Sequence, residues 1–196
     1  MKGFERNDRW FSLCGLNCAL CPMYLGKYCP GCGQGEGNQS CAIARCSLEH
    51  DKVEYCFLCK EYPCSKCQNI DEADSFITHQ NQKKDIEKAR TIGIKAYCDE
   101  QKRKEQMLHF LLEQFNDGRK KALYSTAVNL LEESRLENMI CQLQDEQILK
   151  QPLREKAATA SQLLKQAAPH IKLYNSFIIL KFLRTVVHNI TLSLML

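Results

Sequence analysis

Eleven of the thirteen cysteines in this 196-residue chain fall between Cys14 and Cys67. A segment so loaded with thiols must settle their chemistry before it can fold. In order they read Cys14-x3-Cys18-x2-Cys21, Cys29-x2-Cys32, Cys41-x4-Cys46, Cys56-x2-Cys59 and Cys64-x2-Cys67. Four of those steps have the knuckle spacing, in which a tight turn aims two thiolates at one tetrahedral centre. Pro22, Pro30, Gly31, Gly33 and Pro63 lie inside or beside the pairs and supply bends.

A disulfide framework is the rival reading, and it needs an oxidising compartment. The first residues carry charges with no apolar stretch behind them, so nothing marks the chain for secretion and a cytoplasmic location is expected. In a reducing cytosol the thiols stay available for metal. Cys98 and Cys141 stand alone in helical sequence and are expected to pack as small apolar side chains.

Composition divides the chain. Seven of the nine glycines lie at or before Gly37, whereas from about Gln68 onward Lys, Glu, Gln, Leu and Ala dominate, all good helix formers. The fold expected is mainly α: an irregular cysteine-rich metal-binding module over residues 1–70, then an antiparallel helical bundle over 71–173, then an apolar amphipathic tail over 174–196. Structural zinc suits the first part, because a loop-rich segment with few large apolar residues gains its stability from the ion. The formal charge is +4. Eight thiolates on two zinc ions would contribute −8 + 4 = −4 and cancel it, and Lys and Arg are interleaved with acids along the helices, so nucleic acid is not an expected partner.

Within the helical part, the pattern predicts helices over 83–92 and 94–115 with a break at Gly93. Met107, Leu108, Leu111, Leu112 and Phe115 form one apolar stripe. Asn116-Asp117-Gly118 is a stop, and a helix from Lys120 to Glu133 follows. Ser134 and Glu137 have capping-box spacing, which predicts a helix running to about Leu149. Pro152 suits the first turn of another, to about Ala168. Asp71, Glu72 and Asp74 read as acids at a helix N-terminus. In the tail, Lys181, Arg184 and His188 share one helical face, so an amphipathic helix that covers the bundle, or contacts a protein partner or a membrane surface, is expected rather than a membrane span.

The cysteines leave two metal chemistries open. The Cys29-Pro-Gly-Cys32-Gly run is a zinc-knuckle sequence, and two or more zinc ions are the first expectation. Cys14-x3-Cys18-x2-Cys21 equally suits a [4Fe-4S] cluster, the alternative. It also matches the spacing used by radical S-adenosylmethionine enzymes, but no alternating strand and helix pattern follows it. His50, between Cys46 and Cys56, is expected to be an exposed surface residue rather than a twelfth ligand. No nucleophile-elbow, zincin or dinucleotide motif is present.

Cys14-Gly-Leu-Asn-Cys18, Cys21-Pro-Met-Tyr24, the later cysteine pairs and Glu61-Tyr-Pro-Cys64, with Phe115-Asn-Asp-Gly-Arg-Lys-Lys121 further on, resemble the bacterial and archaeal family called domain of unknown function 3795. The resemblance covers about residues 12–172. It implies metal ligation by Cys14, Cys18, Cys21, Cys29, Cys32, Cys41, Cys46, Cys56, Cys59 and Cys64, and no established reaction. Cys67 departs from that pattern and rests on its knuckle spacing alone. The expectation is a metal-binding structural or interaction protein, with an iron–sulfur redox protein or small enzyme as the alternative.

Overall fold

The computed structural model describes residues 3–35 and 41–168. The tail over 174–196 lies outside the described residues. The chain is mainly helical, and among the described residues no strand forms beyond one isolated bridge, Phe11 with Asn17. Helices α1 (Pro22–Leu25) and α2 (Ala42–Glu49) belong to the cysteine-rich segment, together with short 3-10 turns at Cys18–Leu20, Cys56–Leu58 and Ser65–Cys67. Helices α3 (Gln82–Ile92), α4 (Ile94–Gln114), α5 (Lys121–Leu130), α6 (Glu133–Leu143), α7 (Glu146–Leu149) and α8 (Leu153–Ala167) follow.

Helix α4 is the spine. Its buried residues Tyr97, Gln101, Lys104, Leu108 and Leu111 recur three or four apart, so they share one face. Against that face pack α3, α5 and α6. The main core joins Leu108 and Leu111 to Leu123, Tyr124, Leu136 and Leu164. Tyr124 donates its hydroxyl proton to the Phe115 carbonyl at 2.7 Å, which satisfies the buried phenol.

The cysteine-rich segment enters this same core. Leu20, fully buried between Cys18 and Cys21, belongs to the α4–α5 cluster, and Ser125 on α5 donates to its carbonyl at 2.5 Å. Asn17 makes the second tie. Its amide donates to Asp85 of α3 at 3.0 Å and to Asn129 of α5 at 3.1 Å, while Tyr97 of α4 donates to its oxygen at 3.0 Å. One side chain in the Cys14–Cys18 loop is thereby fixed to three helices.

Several expectations need correction. Ser134 forms no capping box: α6 already begins at Glu133, behind Glu132 in extended conformation, with no side-chain cap. The helix ends at Leu143 rather than Leu149, because the Asp145 carboxylate accepts from the Gln147 and Ile148 amides and starts α7. Asp71, Glu72 and Asp74 do not open a helix; Asp71 pairs with Lys83, and Asp74 accepts from Thr78 and the His79 amide within a turn. No helix among the described residues is long and apolar enough to cross a membrane.

Candidate metal centres

Three of the knuckle pairs close as tight turns. The amide of the second cysteine donates to the carbonyl of the first, Cys21 to Cys18 at 3.0 Å, Cys59 to Cys56 at 3.0 Å and Cys67 to Cys64 at 2.9 Å. Each pair encloses or follows a single 3-10 turn, the geometry that sets two sulfurs side by side. The Cys64 and Cys67 sulfurs lie 3.9 Å apart.

Ten cysteines line two cavities. The first, about 190 Å³, is faced by Cys14, Cys18, Cys29, Cys32 and Cys41, with Phe4, Leu13 and Ile43 as apolar wall. The second, about 30 Å³, is faced by Cys46, Cys56, Cys59, Cys64 and Cys67, with His50 and Lys66. Helix α2 divides them, since Cys41 precedes its first turn and Cys46 lies within it. The Cys56 amide donates to the Leu13 carbonyl at 2.8 Å and staples the two walls together. Cys21 lines neither cavity; the Cys29 thiol acts on it, and it acts in turn on Cys18.

Burial governs the thiols. It pushes Cys14 up to about 11, against a hydrogen bond from Ser12, whose oxygen is 3.4 Å from the sulfur. Cys18 and Cys56 are driven further up, again by burial, with added repulsion from Cys32 and from Cys67 respectively. Burial also raises Cys21, Cys32, Cys46 and Cys67. Yet several of these sulfurs receive hydrogen bonds suited to a thiolate: Cys18 from the Cys32 backbone, Cys21 from the Met23 and Tyr24 backbone, and Cys32 from the Leu13 backbone. Crowded, buried thiols are costly to ionise even with amide donors and a nearby cation such as Arg6 or Lys66, and a divalent cation reverses that cost by taking the thiolates as ligands. The donor set, all sulfur with backbone N–H support, fits zinc or an iron–sulfur cluster. Among the described residues, no three His, Cys, Asp or Glu side chains have closed to ion-holding distance.

His50 departs from the exposed position expected of it. It sits half-buried at the end of α2, on the second cavity. Both ring nitrogens are engaged, Nδ1 with the Cys46 carbonyl at 2.8 Å and Nε2 with Glu61 at 3.2 Å, and these contacts raise its pKa, the carbonyl most. That arrangement favours imidazolium, which cannot ligate. Cys98 is buried as expected, its thiol 3.5 Å from Asp8 and pushed up to about 12 by burial. Cys141, expected to pack as a small apolar side chain, is instead exposed on α6.

Sequence reasoning missed Ser12 and Arg6. Ser12 had a faint signal in its place two residues before Cys14, where its hydroxyl also accepts from the Leu16 amide at 2.7 Å. Arg6 had none, since the residues that hold it lie as far off as Glu54. No protein-family model matches the chain, and neither a curated protein nor a solved structure matches it.

Proposed function

We propose that the chain is a metal-binding structural or interaction protein that holds two zinc ions, one in each cysteine-lined cavity. The observation that carries this reading is the convergence of ten cysteines, from knuckles spread over residues 14–67, on two separate pockets, five to each. Zinc takes four thiolates without redox chemistry and contributes on the order of 10–16 kcal/mol of apparent binding free energy to a loop-rich segment. The first centre draws on Cys14, Cys18, Cys32 and Cys41, which face one cavity and whose charges repel there, Cys32 and Cys41 acting on Cys14, Cys32 on Cys18 and Cys41 on Cys32. The second draws on Cys46, Cys56, Cys59, Cys64 and Cys67. The resemblance noted from the sequence points the same way. The ordered surface is then available to a protein partner.

A second reading has one observation in its favour. The first cavity is much the larger, as a four-iron cluster requires, and is faced by five cysteines, among them Cys14 and Cys18 but not Cys21 of the C-x3-C-x2-C run. Metal analysis of protein purified without oxygen decides between them. Two zinc per chain and no colour is the expected result; a brown protein with iron and sulfide in the first centre establishes the alternative, and protein free of metal under reducing conditions sinks both.

A further inference from the structure

We propose that Arg6 is a positioning residue of the first centre, the fixed positive charge that offsets its thiolates. This rests on the metal reading above. The Arg6 side chain is 1% exposed, which is costly for a guanidinium unless a negative partner is close. Its own bonds account for part of that cost. Nε donates to the Glu54 carbonyl at 2.9 Å and Nη2 to the Phe11 carbonyl at 3.0 Å, while the Glu54 carboxylate, 28% exposed, stands 3.4 Å away.

The remaining amino group, Nη1, is buried and forms no hydrogen bond. Buried donors left over in this way mark a missing negative partner. The first cavity lies beside it, because Cys32 and Gly33 both line that cavity and Gly33 stands against the Arg6 stem. Placement is enforced by the chain on the other side. Gly33, beside Cys32, has φ +75, and a Cβ there would lie 2.7 Å from Arg6 Cγ. The Arg6 amide also donates to the Gly33 carbonyl at 3.1 Å. A backbone without a side chain lets the arginine stem lie against the knuckle loop.

The physical consequence concerns charge. Four thiolates on a divalent ion leave a net −2, in a cavity with apolar walls where that charge is poorly solvated. A guanidinium locked by hydrogen bonds supplies compensation without reorganising when metal enters. Among the described residues no buried arginine faces the second cavity, which Lys66 and His50 line instead.

Arg6→Met and Arg6→Lys separate charge from packing. Full-length zinc-loaded protein is challenged with a graded chelator, and released zinc is counted while alkylation and mass spectrometry report which cysteines open. In Arg6→Met, Cys14, Cys18, Cys32 and Cys41 should release zinc at roughly 10- to 100-fold lower chelator than wild type. Cys46, Cys56, Cys59, Cys64 and Cys67 should hold theirs unchanged. Arg6→Lys, which keeps the charge and loses the fork, should recover most of the affinity. Wild-type release from folded Arg6→Met overturns the proposal, as does equal loss in both variants or equal loss from both centres, either of which makes Arg6 only a packing residue. Wild-type protein that takes up no zinc overturns the metal reading itself, and is distinguished from those outcomes by its alkylation at every cavity cysteine.

Discussion

Gly15 has almost no freedom to change. Its φ is +91, and a Cβ would lie 2.4 Å from Ile86 Cγ1, a side chain buried in the α3 contact. Gly15→Ala is therefore expected to cost on the order of 2–4 kcal/mol, from backbone strain and overpacking together. Urea unfolding measures it, and a wild-type midpoint would mean that the Cys14–Cys18 loop is not seated on α3. Next to that contact, Asp85 is pushed up to about 6 by burial, in spite of Lys104, Tyr97 and Asn17 around it. An acid that holds its proton more tightly folded than unfolded favours folding most below its ordinary pKa of 3.8, and that advantage disappears as pH rises through about 6. The shift corresponds to on the order of 3 kcal/mol. Wild type should accordingly lose stability relative to Asp85→Asn between about pH 4 and 6. Comparing the two proteins at each pH cancels any acid release of the proposed zinc, and a difference that stays flat across this range would refute the assignment.

At the scale of elements, what was legible depended on how local the cause was. The two long helices are read almost to the residue, 82–92 and 94–114, because their apolar spacing and the Gly93 break are contained in their own sequence. The three closed knuckles are likewise written in C-x2-C spacing. By contrast α2 lies hidden among cysteines although Ala42–Glu49 is good helix sequence, and Ser134 offered a capping box that Glu132 preempted by starting the helix two residues earlier. The grouping of cysteines into two cavities was not legible at all, since spacing fixes pairs and only the folded chain brings pairs together. Nor was Asn17, whose partners stand 68 and 112 residues away. These differences predict unequal mutational costs. Leu111, wholly buried on the α4 face, should lose about 3–5 kcal/mol as Leu111→Ala. Asp145→Ala, which removes only the cap of the four-residue α7, should lose about 1 kcal/mol. Chemical denaturation ranks the two, and a reversed order would mean that α7 rather than α4 organises the core.

For the whole molecule, the decisive feature is that the cysteine-rich segment shares its core with the helices. Leu20 belongs with Leu108, Leu111 and Leu136, and Asn17 ties the Cys14–Cys18 loop to α3, α4 and α5. A ligand that binds only the folded state stabilises everything that unfolds with its site. If the knuckles were a separate bead, chelation would loosen them and leave the helices melting as before. With the core shared, loss of zinc from the two proposed centres has to reach α4. Free zinc at a thousandfold excess over its dissociation constant contributes about 4 kcal/mol per centre. At roughly 2–4 °C per kcal/mol for a chain of this size, stripping both centres should lower the helical melting temperature on the order of 15–30 °C. Far-ultraviolet circular dichroism under reducing conditions measures it, with zinc added back to show reversal. Leu20→Ala supplies the control, because it weakens the shared core and leaves every cysteine in place: it should lower the melting temperature of the zinc-loaded and stripped proteins alike. Helices that melt at one temperature with and without chelator would mean that the two parts fold independently, whatever metal the cysteines hold.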